Sequence, residues 1–253
     1  MSLIEGEQLG ELLRRARHVA VLTGAGISAE SGIPTFREAM TGLWAQFDPE
    51  ELATPHAFAR QPSRVWDWYA ERRRKIGTAA PNPGHYALVT IEQAVPEFTL
   101  ITQNIDGLHA AAGSRNVVEL HGNIGRVKCS REGTPVEQWD ATQSPPHCQS
   151  CGAPLRPDVV WFGELLPDDA TSRAWEATAH CDVFLSVGTS NLVWPAASLP
   201  WTAHGHGAHV IVANTTMEGQ RRGERIHHLL GPSGETLPRL VREAWPSAVS
   251  RYS

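Results

Sequence analysis

"HVAVLTGAGISAESGIPTFR", residues 18–37, decides the fold. His18 to Thr23 form a short apolar run of the kind that makes a strand buried on both faces. Gly24, Gly26 and Ala29 then satisfy G-x-G-x-x-G/A, the spacing of a loop whose backbone closes on a pyrophosphate, with Ala25 and Ile27 inside it. This predicts a dinucleotide-binding unit, but not an ordinary one. Pro34 interrupts the helix that should follow, and Phe36 and Arg37 sit where that helix should be ending. A hydride-transferring enzyme also needs an acidic residue about twenty positions beyond the glycines, at the end of its second strand. Asp48 is the candidate, yet "LWAQFDPEE" around it is not strand-like, and the next strand arrives only near residue 98. The loop supports phosphate binding, while its surroundings argue against a dehydrogenase.

Four further segments read as buried strands: "FTLITQ" (98–103), "NVVEL" (116–120), "DVFLSVG" (182–188) and "HVIVAN" (209–214). Helical or irregular stretches separate them, which predicts an α/β fold with a Rossmann-like, doubly wound parallel sheet. Residues 37–80, helical and rich in aromatics, and residues 122–158, which hold three cysteines, break that rhythm. They predict a smaller inserted domain, part helical and part zinc-ribbon-like. The Rossmann-like domain is then discontinuous, over 1–36, 81–121 and 159–253. Each strand runs into small or hydrogen-bonding residues: "GAGIS", then Gln103-Asn104-Ile105-Asp106, His121-Gly122, "GTSN" (188–191) and "NTT" (214–216). Ligands of open parallel sheets bind outside the carboxyl ends of the strands, so these five ends predict one shared site.

Bulk properties narrow the class. A chain of 253 residues with 41% hydrophobic content and nine tryptophans can bury a substantial core. A formal charge of −5 gives no electrostatic reason to expect a nucleic acid partner. "MSLIEGEQLGELLRRARH" reads as an amphipathic helix with Glu5, Glu7 and Glu11 rather than a signal peptide, and no run approaches a membrane span. These features predict a cytoplasmic protein without membrane contact. Of the four cysteines, Cys148 and Cys151 in "CQSC" suggest metal rather than a disulfide, and Cys181 reads as a small core residue.

"GAGISAESGIPTFR", "TQNIDGLH", "LHGN", "CQSCGAPLRPDVVWFGE" and "VGTSN" resemble the signature blocks of the sirtuins, NAD-dependent protein-lysine deacylases. The likeness runs in order from about residue 18 to residue 215, most of the chain. It implies an enzyme that consumes NAD, cleaving the nicotinamide–ribose bond and passing an acyl group from lysine to ADP-ribose. The acyl carbonyl oxygen would trap the anomeric carbon as an O-alkylimidate, and His121 would then remove a ribose hydroxyl proton. Asn104 and Asp106 resemble the nicotinamide-pocket residues, with strand-end capping as their plainer role. Phe36 would shield the reacting carbon, and Arg37 would lie near the phosphates. Gly188, Thr189 and Ser190 would take phosphates and ribose. Trp44, Gln103, Ile105, Asn214, Thr215 and Ser233 complete the implied NAD-binding set. Where the family often has Asn-x-Glu, this chain has Asn214-Thr215-Thr216, so one ribose contact departs from the pattern.

"VVWFGE" (159–164) would pair as an extended strand with the substrate backbone, bringing Val160, Trp161, Phe162 and Gly163 to the peptide. Trp161 and Phe162 could equally be core residues. The family's zinc site is two C-x-x-C pairs. Here Cys148 and Cys151 form one pair, but the other keeps only Cys129, with Glu132 in the matching place. Zinc with His147, Glu132 or water as fourth ligand, loosely held zinc, and no zinc all remain open. In "SRVWDWYAERRRKI" (63–76), Ser63 is a plausible N-cap and Tyr69 and Arg72 share a helix face. There the chain resembles bacterial-type sirtuins of class III, which remove succinyl and malonyl groups. An arginine fork and a phenol hydroxyl can clasp a terminal carboxylate. The partner expected is acylated lysine in proteins or peptides, and a monomer is the default assembly. Mono-ADP-ribosyl transfer and a catalytically silent NAD- or metal-sensing module are the competing readings.

Overall fold

The structure, a computed structural model, describes residues 6–34, 52–190, 192–217 and 221–247. Its strands are β1 (His18–Thr23), β2 (Glu97–Thr102), β3 (Val117–Glu119), β4 (Gly122–Cys129) and β5 (Pro135–Val136). They continue with β6 (Leu155–Val159), β7 (Val183–Val187), β8 (His209–Asn214) and β9 (Ile226–Leu230). The helices are α1 (Gly6–Arg15), α2 (Pro55–Arg60), α3 (Pro62–Ile76), α4 (Pro83–Ala94), α5 (Leu108–Ala112), α6 (Asp168–His180), α7 (Leu199–Gly205) and α8 (Ser233–Ala244).

Six strands form one sheet in the order β3-β2-β1-β7-β8-β9, every neighbouring pair parallel. This is the doubly wound arrangement, in which the order reverses between β1 and β7 and leaves a crevice at their carboxyl ends. All residues of β1 and β7 are buried, because alternate side chains feed two cores. Val19 and Val21 pack with Leu9, Leu13, Leu88, Ile91, Leu237 and Leu240, from α1, α4 and α8. Ala20 and Leu22 pack with Ala174, Ala177, Leu199 and Ala203, from α6 and α7. The apolar runs are therefore continuous, as the sequence suggested. No helix among the described residues is long and apolar enough to cross a membrane.

A second, three-stranded antiparallel sheet in the order β5-β4-β6 stands apart from the first. Helix α3 covers it: Val65 and Tyr69 pack with Ile124, Val159 and Trp161, and Trp66 packs with Val127, Cys129 and Leu155.

Two expectations need correction, and one strand was not foreseen. Ser63 does not cap α3. Pro62 fixes the start two residues earlier than a Ser63 cap would, with Gln61 in the cap position, and the Ser63 hydroxyl donates to the Ser144 carbonyl at 2.6 Å instead. The extended segment expected over 159–164 is strand only as far as Val159, and Phe162 and Gly163 lie in a turn. Strand β9, "IHHLL", was not expected. His227 is only 7% exposed, and its Nε2 lies 3.0 Å from His209 Nδ1 across the β8–β9 pair.

Candidate active site

Two glycine-bearing loops meet at the β1/β7 crevice. The Gly24 N–H donates to the Val187 carbonyl at 3.0 Å, and the Gly26 N–H donates to the Gly188 carbonyl at 2.8 Å. The contact is backbone on backbone. A Cβ on Gly26 would stand 2.7 Å from Gly188 Cα, and one on Gly188, at φ +58°, would stand 2.4 Å from the Ile27 nitrogen. After Gly24 the chain makes a 3-10 helix, Ala25–Ser31, in place of a long α-helix, ended by Gly32 and followed by Pro34. Outer contacts clamp it: Asn82 Nδ2 donates to the Ile27 carbonyl at 2.7 Å, and the Gly234 N–H donates to Glu30 Oε2 at 2.7 Å, beside the buried Ser233 at the start of α8.

The ends of β2, β7 and β8 are laced together. Gln103 Nε2 donates to Thr189 Oγ1 at 3.1 Å, and Asn214 Nδ2 donates to the Thr189 carbonyl at 3.0 Å. The Thr215 N–H donates to Asn214 Oδ1 at 2.8 Å, so Asn214 is used on both sides. Ser190, next in the chain after Thr189, is exposed.

Asn104, Asp106 and Ser28 form a network beneath the first glycine loop. Asn104 Nδ2 donates to the Gly24 carbonyl at 3.1 Å and to Ser28 Oγ at 3.2 Å. With both amide hydrogens spent, Oδ1 is what this side chain can offer a ligand. The Ser28 hydroxyl donates to Asp106 Oδ2 at 2.7 Å, and the Leu108 N–H donates to Oδ1 at 2.9 Å. Burial pushes the Asp106 carboxyl up, against the pull of those two hydrogen bonds. Ile105 ties this loop to the second sheet by accepting from the Ile124 N–H at 2.9 Å.

His121 lies between the two sheets, one residue before β4. Its Nδ1 is 3.0 Å from the Gln103 carbonyl oxygen. A carbonyl only accepts, so Nδ1 carries the proton and Nε2 holds the lone pair. Burial keeps the ring's pKa below the ordinary imidazole value, partly offset by the Gln103 carbonyl. The ring is thus a neutral acceptor of fixed tautomer. Its backbone carbonyl takes the Val160 N–H at 2.9 Å, anchoring the segment that follows β6.

In that segment Trp161 and Phe162 part company. Trp161 is 2% exposed and its Nε1 donates to Tyr69 Oη at 3.1 Å, whereas Phe162 is 44% exposed. Gly163 is also exposed. Tyr69 is buried, which pushes its phenol up to about 12. Arg72, one turn along α3, stacks its guanidinium 4.6 Å from the Trp68 ring centre, and burial lowers its pKa. The helix therefore brings a phenol and a guanidinium side by side under the second sheet.

A loop pair at the switch point of a parallel sheet, an Asn–Ser–Asp network and a neutral histidine between two modules together match one known family. The Sir2 family model matches residues 24–195. The chain belongs to the Sir2 family. It is 48% identical over 245 residues to the NAD-dependent protein deacylase 1 of Pseudomonas aeruginosa, covering 93% of this chain and 98% of that protein. Against the NAD-dependent protein deacylase of Aquifex aeolicus it is 55% identical over 201 residues, 78% of this chain and 83% of that one. Among solved structures, a Sir2 homologue in complex with NAD superposes with a TM-score of 0.88 at 42% identity, over 96% of this chain and 94% of the other. A Sir2 protein holding a deacetylated peptide and 3′-O-acetyl ADP-ribose gives 0.84 at 30% identity, over 95% and 98%.

The Sir2 chain also gathers a metal-ligating cluster. The side-chain ligand atoms of Cys129, Glu132, Cys148 and Cys151 all lie within 4.8 Å of one another. The two turns that present them match: the Gly133 N–H donates to the Cys129 carbonyl at 3.0 Å, and the Gly152 N–H donates to the Cys148 carbonyl at 2.9 Å. Glu132 thus stands where the second turn has Cys151. Cys129 Sγ and Cys151 Sγ are 3.5 Å apart, close to the ~3.8 Å that two thiolates take around a tetrahedral zinc. The donor set, three sulfurs and a carboxylate, fits zinc. His147, the other protein ligand weighed from the sequence, is exposed and outside the cluster. All four cysteines are free thiols, and Cys181 is buried.

Phe36, Arg37 and Trp44 lie outside the described residues. Ser28, Glu30 and Asn82 were missed as parts of the Sir2 glycine-loop scaffold. Ser28 had a signal, a small hydroxyl inside a loop that otherwise carries only apolar residues up to Ala29.

Proposed function

We propose that this protein is an NAD-dependent protein-lysine deacylase, active on acetyl-lysine and on the acidic succinyl- and malonyl-lysines. The observation that carries the reading is His121: a neutral imidazole of fixed tautomer, Nε2 unprotonated, at the strand-end crevice beside the Asn104–Ser28–Asp106 network. NAD is consumed as a co-substrate. Gly24, Ala25, Gly26, Ile27, Gly188, Thr189 and Ser190 receive its phosphates and ribose, with Gln103, Asn214, Thr215 and Ser233 around the adenosine half. Asn104 Oδ1, Ile105 and Asp106 hold the carboxamide of nicotinamide. Pro34, Phe36, Arg37 and Trp44 belong to the same set by position in sequence.

Once the acyl oxygen has displaced nicotinamide, His121 Nε2 takes a ribose hydroxyl proton and frees that oxygen to attack the acyl carbon. Val160, Phe162 and Gly163 face the peptide backbone. Trp161 belongs to the pocket through Tyr69 rather than to the peptide. Tyr69 and Arg72 receive the terminal carboxylate of an acidic acyl chain, which the buried phenol and the guanidinium held on the Trp68 ring one turn along the same helix support. Zinc on Cys129, Cys148, Cys151 and Glu132 braces the small sheet away from the chemistry.

The division of labour follows the two sheets. Residues 1–36, 81–121 and 159–253 form the NAD domain, and 37–80 with 122–158 form the small domain. We take the enzyme to act as a monomer in the cytoplasm, where reducing conditions keep the thiols free, with no role for nucleic acid or membrane. Acetyl- and succinyl-lysine peptides incubated with and without NAD test the reading. Acyl removal that requires NAD is expected for both, and removal of neither with NAD present would overturn it.

A further inference from the structure

Trp161 is held more tightly than peptide contact or simple filling of the core requires. Its backbone N–H donates to Glu164 Oε2 at 2.8 Å. Glu164 is itself gripped by Arg156 through two bonds, at 2.6 and 2.8 Å. The Arg156 guanidinium carbon lies 3.4 Å from the Trp161 ring centre, and the Phe58 ring packs at 5.2 Å. Backbone, ring face and ring contacts therefore all fix the indole. A cation over an indole draws density from the ring and makes the N–H a stronger donor. That N–H has one recipient, Tyr69 Oη at 3.1 Å.

The chemistry of the pair follows from what each atom can do. An indole N–H only donates, so the phenol oxygen accepts. The phenol's own proton is then directed away from the indole. The Tyr69 hydroxyl stays protonated at any working pH, since its burial places ionisation at about 12. Arg72 stands one turn along the same helix, its guanidinium set by the Trp68 ring, which packs edge-on to Tyr69 at 4.7 Å.

We propose that Trp161 is a positioning residue for acyl selection: by occupying the Tyr69 oxygen, its indole N–H aims the phenol proton at the terminal carboxylate of an acidic acyl-lysine. The inference rests on the acidic-acyl reading above. Trp161 is buried and acts through Tyr69.

The test is a double-mutant cycle of Trp161→Phe and Tyr69→Phe, with kcat and KM measured for succinyl-lysine and acetyl-lysine peptides of one sequence. Trp161→Phe should lower the succinyl-to-acetyl ratio of kcat/KM by about two- to twelvefold, the net worth of one neutral hydrogen bond, chiefly through KM. In the Tyr69→Phe background the same change should leave the ratio where it is. An equal fall for both acyl groups, or the same fall in ratio without the Tyr69 hydroxyl, would overturn the proposal and leave Trp161 a core residue. If Trp161→Phe does not fold, β-(3-benzothienyl)alanine at position 161 removes the N–H alone and carries the same expectations. Wild-type enzyme that fails to desuccinylate overturns the acidic-acyl reading itself. Wild-type desuccinylation that Arg72→Met abolishes but Trp161→Phe leaves intact overturns only the positioning role.

Discussion

Gly188→Ala tests the loop pair assigned above to the cofactor phosphates. The new Cβ would stand 2.4 Å from the Ile27 nitrogen and 2.6 Å from the Gly26 carbonyl carbon, both backbone atoms that no rotamer change can move. The residue also sits at φ +58°, where an L side chain costs ~1–2 kcal/mol. Forcing the two loops apart adds overpacking of ~1–3 kcal/mol, so the total is ~2–5 kcal/mol. Gly32→Ala is the internal control. It has φ +80° with no atom within 4 Å of the place its Cβ would take, so it should show the dihedral cost alone. Urea unfolding of both variants, with NAD affinity by calorimetry, measures the difference. Gly188→Ala should be the less stable and should lose NAD binding, because the Gly26 N–H to Gly188 carbonyl bond of 2.8 Å cannot survive the separation. Equal destabilisation with NAD affinity retained in both would refute the claim that these loops form the phosphate cradle by close backbone contact.

His121→Ala should cut deacylation by ~10²–10⁴-fold while NAD still binds, and near wild-type turnover would refute its role as base. Arg72→Met should lower the succinyl-to-acetyl ratio of kcat/KM by at least ~10-fold, and a parallel fall in both activities would make it a structural residue. His85 and His109 are buried with pKa values depressed to about 4 and about 3 from 6.5. The unfolded chain therefore binds more protons than the folded one below pH ~6.5, and stability falls as pH drops from there towards the folded values. Between pH 7 and 5 each should cost ~2 kcal/mol, measurable as a shift in urea midpoint that His85→Gln with His109→Gln flattens. Purified protein should carry zinc, and chelation should lower its melting temperature. Loss of catalysis with the fold and melting temperature intact would exclude a structural metal.

Strands β1, β2, β7 and β8 were legible because a parallel sheet covered on both faces leaves each as an unbroken apolar run. Strand β9 was not, since His227 and His228 interrupt the pattern; it is an edge strand, and His227 is accommodated there by its bond to His209. The small sheet was legible only as an interruption of the main rhythm. Its long strand β4 carries a register irregularity between Asn123 and Val127, which breaks the alternation a strand would show. The strand-end residues were readable one by one from type and place. Their wiring was not: Ser28 joins Asn104 to Asp106 across more than seventy residues of chain, and no local pattern encodes that. Glu132 was visible as the residue in a cysteine's place, but that its carboxylate reaches the three sulfurs depends on the matched turn at Gly133.

The central claim is that NAD is broken and its ADP-ribose receives the acyl group. Mass spectrometry of all products from NAD and a succinyl-lysine peptide tests it most directly. The account predicts nicotinamide, free-lysine peptide and succinyl-ADP-ribose in equal amounts. Free succinate released without nicotinamide, or ADP-ribose found on protein with the peptide still acylated, would contradict it.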